Sequence, residues 1–166
     1  MLIADTSLIA GLQSHSASLE LDCPAEDAFS LLCAVEKWPV WLSFLRSARR
    51  HSTERHLDVG SEVIIRSSLP GEEEQLFEID DYITNHRLSL VGAFSLRRRL
   101  DFRIERRTSR SKLHVRLSYP AYHGRLGGLL DRWQRGRRLS TALGDSLVHF
   151  KGLVEYQRDA AVLADF

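Results

Sequence analysis

Few residues of this chain combine a reactive type with a setting in which they could do chemistry. Asp81 shares two-residue parity with Phe77, Ile79 and Ile83, and Arg98 shares it with Leu100 and Phe102. Each therefore interrupts an otherwise apolar strand face. A charge on such a face is costly unless it is paired. Exposure at a strand end is the simpler reading. The functional reading makes them an acid and a base that point inward and polarise a ligand carbonyl. His123 is the third candidate for proton transfer, within the cluster Tyr119, Tyr122, His123 and Trp133. No two of these groups can be placed within reach of a common point, so the catalytic residues stay unassigned.

A second set could orient a ligand without reacting with it. Tyr119 carries a phenol at the end of an apolar strand. Arg137 falls where the next apolar residue of a helical stripe through Leu126, Leu129, Leu130 and Trp133 would belong. There it either meets a ligand carboxylate or phenolate, or snorkels to the surface. Trp38 and Trp41 flank Pro39; they staple a helical corner or line a portal.

Other chemistries find no support. His15, His114 and His123 are scattered, and His51 and His56 fall on opposite faces of a strand, so no metal is expected. Phosphate loops and nucleophile elbows are missing from the sequence, and no cofactor is expected. Cys23 and Cys33 are too few for a disulfide framework; Cys33 reads as a buried, inert thiol. Arg97 to Arg116 holds nine bases against two acids, whereas Glu72 to Asp81 holds six acids and no base. The arginines alternate with Asp101 and Glu105, which suits a solvated sheet face with cross-strand ion pairs better than nucleic acid.

The elements that must hold these residues follow from periodicity. Residues 14–22 alternate, with His15, Ala17, Leu19 and Leu21 on one face. Asp22-Cys-Pro24 opens a helix striped by Ala28, Leu31, Leu32 and Val35; Pro39 breaks it, and a second short helix begins at Val40. Strands are expected near 46–57, 61–68, 74–84, 87–94, 97–107 and 111–119, divided by turn signals such as Asn85-His86. Gly124 to Arg158 then reads as one amphipathic helix about 50 Å long. After Trp133 its stripe is interrupted by Gly136, Arg137, Ser140 and Gly144, and it resumes with Leu143, Leu147, Phe150 and Val154.

At 166 residues, 43% apolar and 27% charged with a net charge of +1, the chain fits one ordinary globular domain. Asp5 interrupts a mildly apolar start that no basic stretch precedes, so neither a signal peptide nor a transmembrane helix is expected, and the default location is cytoplasmic. The expected division is an extension at 1–13, a domain at 14–158 and a tail at 159–166.

The segment Ala17-Ser-Leu-Glu-Leu-Asp-Cys-Pro-Ala-Glu-Asp-Ala-Phe29, the corner Glu36-Lys-Trp-Pro-Val-Trp-Leu42 and Val59-Gly60-Ser61 carry a resemblance. They resemble the START/Bet v 1-like (SRPBCC) superfamily, in particular its bacterial polyketide cyclase/dehydrase branch. The resemblance implies an α+β helix-grip fold, a seven-stranded curved antiparallel sheet around a long C-terminal helix, with two short helices after the first strand. It also implies an internal cavity for a small hydrophobic or aromatic ligand, lipid-, polyketide- or quinone-like, in a carrier or sequestering protein. The alternative is a cyclase/dehydratase-type enzyme. The expected lining is Phe77, Ile79, Leu90, Phe102, Val115 and Leu117 from the sheet, with Trp133 and Leu147 from the helix. Trp41 would stand at the mouth, and Tyr119 and Arg137 would fix orientation. A monomer or weak homodimer is expected, with no nucleic-acid partner.

Overall fold

A computed structural model describes residues 12–51, 56–68, 74–120 and 128–164. The side chains of 12, 95–97, 120, 128–136 and 162–164 lie outside the description. The order is β1 (Leu12–Leu21), α1 (Ala25–Cys33), a 3-10 turn (Val35–Lys37), α2 (Trp38–Trp41), then six strands and one long helix. The strands are β2 (Leu45–Arg50), β3 (Glu62–Ser67), β4 (Glu74–Ile83), β5 (Arg87–Gly92), β6 (Ser95–Arg106) and β7 (Ser111–Pro120). The helix α3 runs from Gly128 to Ala164.

All seven strands form one antiparallel sheet in the order β1-β7-β6-β5-β4-β3-β2. Its apolar face is covered by α3 and by the two short helices, as an antiparallel sheet with one wet face requires. Two turns rely on left-handed backbone: Gly60 at φ 88° before β3, and Asn85 at φ 61° between β4 and β5. Asparagine tolerates that region far better than most residues with a side chain, and glycine pays no steric penalty there.

Three expected boundaries move. Pro39 does not end the first helix, which stops at Cys33; it sits in the first turn of α2. Proline suits that position, where its missing N–H costs no hydrogen bond. The strand expected to run to residue 57 ends at Arg50. Residues 159–164 are not a tail but the last turns of α3. Lys151 anchors that half of the helix to the end of β1 through Asp22 at 2.9 Å, and Arg158 donates to the Asp22 carbonyl at 2.8 Å. Residues 1–11 lie outside the described residues. Among the described residues, no helix is long and apolar enough to cross a membrane.

The register lines inward side chains into rows across the sheet. Leu88, Phe102, Val115 and Ala17 form one, and Ile79, Leu90, Leu100, Leu117 and His15 form the next. α3 packs on these rows with Leu139, Leu143, Leu147, Phe150 and Val154, all buried and spaced three or four residues apart.

Candidate functional site

The inward face is sealed at one end and relaxes towards the other. Ile104, Leu113 and Phe150 are wholly buried at the sealed end. Trp38 and Trp41 are buried beside them, not at a mouth. Trp41 makes an edge contact with Phe150 at 4.7 Å, and both tryptophans approach Phe102. Trp38 donates Nε1–H to the Leu32 carbonyl at 2.8 Å, so the pair staples the helical corner to the core. The Trp41 Nε1–H is buried with no hydrogen-bond acceptor.

At the other end, β4, β7 and α3 each leave their outermost inward residue less covered than the one before it. Phe77 is 9% exposed against 0% for Ile79, and Leu139 is 7% exposed against 0% for Leu143. Leu117 and Tyr119 are half-buried, whereas Val115 is buried. Here the row Ile79–Leu90–Leu100–Leu117 ends in an imidazole. His15 Nε2 lies 3.0 Å from the Tyr119 hydroxyl, and its Nδ1 lies 2.9 Å from Ser140 Oγ on α3. The His15 and Tyr119 rings stack with centroids 5.7 Å apart and an interplanar angle of 15°. Burial lowers the His15 pKa from its ordinary value, which keeps the imidazole neutral near pH 7. His15 is not isolated as the scatter of histidines along the sequence suggests; its parity with Ala17, Leu19 and Leu21 is the local signal that it faces inward.

One of the acid/base candidates, Asp81, is not where period-two counting puts it. A bulge between Ile79 and Asp81 adds one residue to β4, so Asp81 pairs with Ser89 and turns to the outer face. One extra residue reverses the facing of everything beyond it. Tyr82 takes the inward position, with its ring at the edge of Phe29. Asp81 bonds Arg87 at 3.1 Å instead of facing the interior. Its outer-face neighbours are paired as well: Arg99 bridges Asp80 on β4 at 2.7 Å and Asp101 on its own strand at 2.9 Å, and Ser89 donates to Asp101 across the β5–β6 pairing at 2.7 Å. Arg98 follows a second irregularity, between Val91 and Gly92. It lines an open groove of about 490 Å³ with His51, Gln75, Phe94 and the outward-facing Ile64 and Leu76. His123 lies outside the described residues.

The helix also corrects one expectation. Arg137 is exposed, and the inward position belongs to Leu139. Stepping one turn back from Leu143 lands on 139, two residues and about 200° from 137. Ser140 is exposed as well, at the seam where α3 meets β1, and Gly144 is half-buried with no atom within 4 Å of where a Cβ would stand. Of the other expected lining residues, Ile79, Leu90, Phe102, Val115 and Leu147 are buried in the core; Trp133 falls on α3, with its side chain outside the description. No cluster of histidine, cysteine and carboxylate suited to a metal ion occurs among the described residues.

No family model matches the chain, and no curated protein matches its sequence. Solved structures do share its fold. A protein from Thermus thermophilus superposes with a TM-score of 0.70 at 14% identity, covering 87% of this chain and 99% of that one. The Zhui aromatase/cyclase from a Streptomyces species gives 0.69 at 11% identity, covering 90% and 98%. A START superfamily protein from Mycobacterium smegmatis gives 0.64 at 15% identity, covering 87% and 98%. The chain therefore has the START/Bet v 1-like helix-grip fold, as its sequence motifs implied.

Proposed function

We propose that this protein binds a small hydrophobic or aromatic ligand between the inward sheet face and α3, as a carrier or sequestering protein. The observation that carries the reading is the graded burial along β4, β7 and α3. Apolar side chains close-pack at one end, while at the other Leu117 and Tyr119 stay half-buried around a polar tip. Apolar surface moved there from water contributes about 25 cal/mol per Å², and few polar groups are needed to fix orientation. The cyclase-like alternative is weaker here: Asp81 faces outward and pairs with Arg87, and Arg98 lines an open groove at the sheet end.

Native mass spectrometry of the purified protein, paired with thermal shift against fatty acids, quinones and polycyclic phenols, tests the proposal. A co-purifying apolar molecule, or a rise in melting temperature with at least one class, is expected. Leu117→Arg should abolish the response while leaving the fold intact, because a half-buried site lets the guanidinium reach water. A protein that carries nothing and responds to none of these compounds refutes it.

A further inference from the structure

The two edges of the sheet are finished differently. β2, at one edge, has six residues, a register shift between Leu45 and Ser47, and the arginines Arg46, Arg49 and Arg50. Short length, irregularity and charge are the devices that keep an edge strand from pairing with another chain. β1, at the other edge, has ten residues, an unbroken register with β7, and no proline, lysine or arginine. From Leu12 to Leu19 its one ionisable side chain is His15, which is bonded to Tyr119 and Ser140 on the inner side. The outward side chains Ser14, Ser16 and Ser18 are small and exposed.

β7 pairs with one side of β1, and no described strand pairs with the other. Coverage of the inner face also thins there. Ala17 and Leu19 are half-buried, whereas the residues beside them in β7, Val115 and Leu113, are 1% and 0% exposed. The flank of α3 along this edge is uncharged too. Ser140, which meets His15, is followed one and two turns on by Gly144 and Val148, the latter 61% exposed.

We propose that two copies of this chain pair antiparallel along the free edge of β1, about a two-fold axis near Ala17, so that their sheets continue into one. The proposal is independent of ligand binding. Inward side chains must oppose inward ones, which restricts the register to even steps. Centred on Ala17, the pairing sets Ser16 across the axis from Ser18 and Ser14 across from Glu20, so no like charges meet. An edge without charge offers nothing to select a charged partner, whereas it complements itself. Such a contact uses up both β1 edges and leaves only the guarded β2 edges, so association stops at two copies. Main-chain hydrogen bonds supply the attraction, as in β-strand addition, and few apolar side chains add to it. The dimer is therefore reversible.

Sedimentation equilibrium of the full chain, between about 5 and about 200 µM, reads the association by mass action. The weight-average mass should rise from that of one chain, 19.0 kDa, towards twice that value and no further. Over the same range, hydrogen exchange should slow at the β1 amides that point away from β7, and not at β2. The double variant Ser16→Lys, Ser18→Lys should stay at the mass of one chain. Its melting temperature at the lowest concentration should match the wild type, because both positions are exposed. A wild type that keeps the mass of one chain throughout overturns the proposal, as does growth beyond two copies. A dimer that survives the double substitution overturns it too. Should the variant fail to fold, the wild-type exchange decides alone: β1 amides that do not respond to concentration, whether fast or already slow, refute the pairing.

Discussion

Trp38 and Trp41 lie three residues apart, both 0% exposed and both against Phe102, yet their indole nitrogens differ. Trp38 Nε1–H donates to the Leu32 carbonyl at 2.8 Å, and Trp41 Nε1–H has no acceptor. Replacing each in turn by phenylalanine removes the same atoms from the same core. The packing cost, lost transfer energy plus residual cavity at about 24 cal/mol per Å³, is therefore similar in the two variants. What remains is the polar contribution. Trp41→Phe deletes a buried donor whose desolvation was uncompensated, a relief of ~1–3 kcal/mol that offsets the packing loss. Trp38→Phe has no such relief and strands a carbonyl of the last turn of α1, which the helix cannot satisfy itself. Trp38→Phe should thus be the more destabilising by ~1–3 kcal/mol, with Trp41→Phe close to neutral. Urea unfolding, followed by circular dichroism and with equal m-values required for the comparison, measures the difference. A Trp41→Phe variant as destabilised as Trp38→Phe, or more so, would refute the assignment of an unsatisfied donor at Trp41.

Gly144→Ala should stabilise the protein by up to about 1 kcal/mol through helix propensity, a rise of ~2–4 °C in a melting scan, because nothing lies within 4 Å of the added methyl. A loss of stability would mean that the position is occupied by something the protein carries. Stability should fall as pH drops below 6.5, because the lowered His15 pKa makes the unfolded chain bind the proton first. The loss continues down to the folded-state pKa, and His15→Leu should flatten that part of the pH profile. Asp22, held below its ordinary value by the Lys151 hydrogen bond and charge and by Arg110, contributes in full above pH 3.8, and that contribution is lost as pH falls from there through its folded pKa. Asp81→Asn should leave ligand affinity unchanged, since its carboxylate pairs with Arg87 on the outer face; a tenfold loss in titration would place it in the site after all.

The order of the elements, and hence the fold, is legible in local sequence pattern. Two-residue alternation, the Asn85-His86 turn, the proline-marked corner and a long amphipathic run are local properties, written within a few residues of where they act. The same pattern marks Leu117 and Tyr119 as inward-facing, because parity along β7 runs without a break. The rest depends on long-range pairing and packing. The bulge in β4 exchanges Asp81 for Tyr82 on the inner face, and a bulge depends on how two strands pair, which neither strand encodes alone. The phase of α3 is set by the side chains packed beneath it, which moves Arg137 out and Leu139 in. The polar tip joins His15 to partners 104 and 125 residues away, a proximity that strand pairing and helix docking create and no local pattern records.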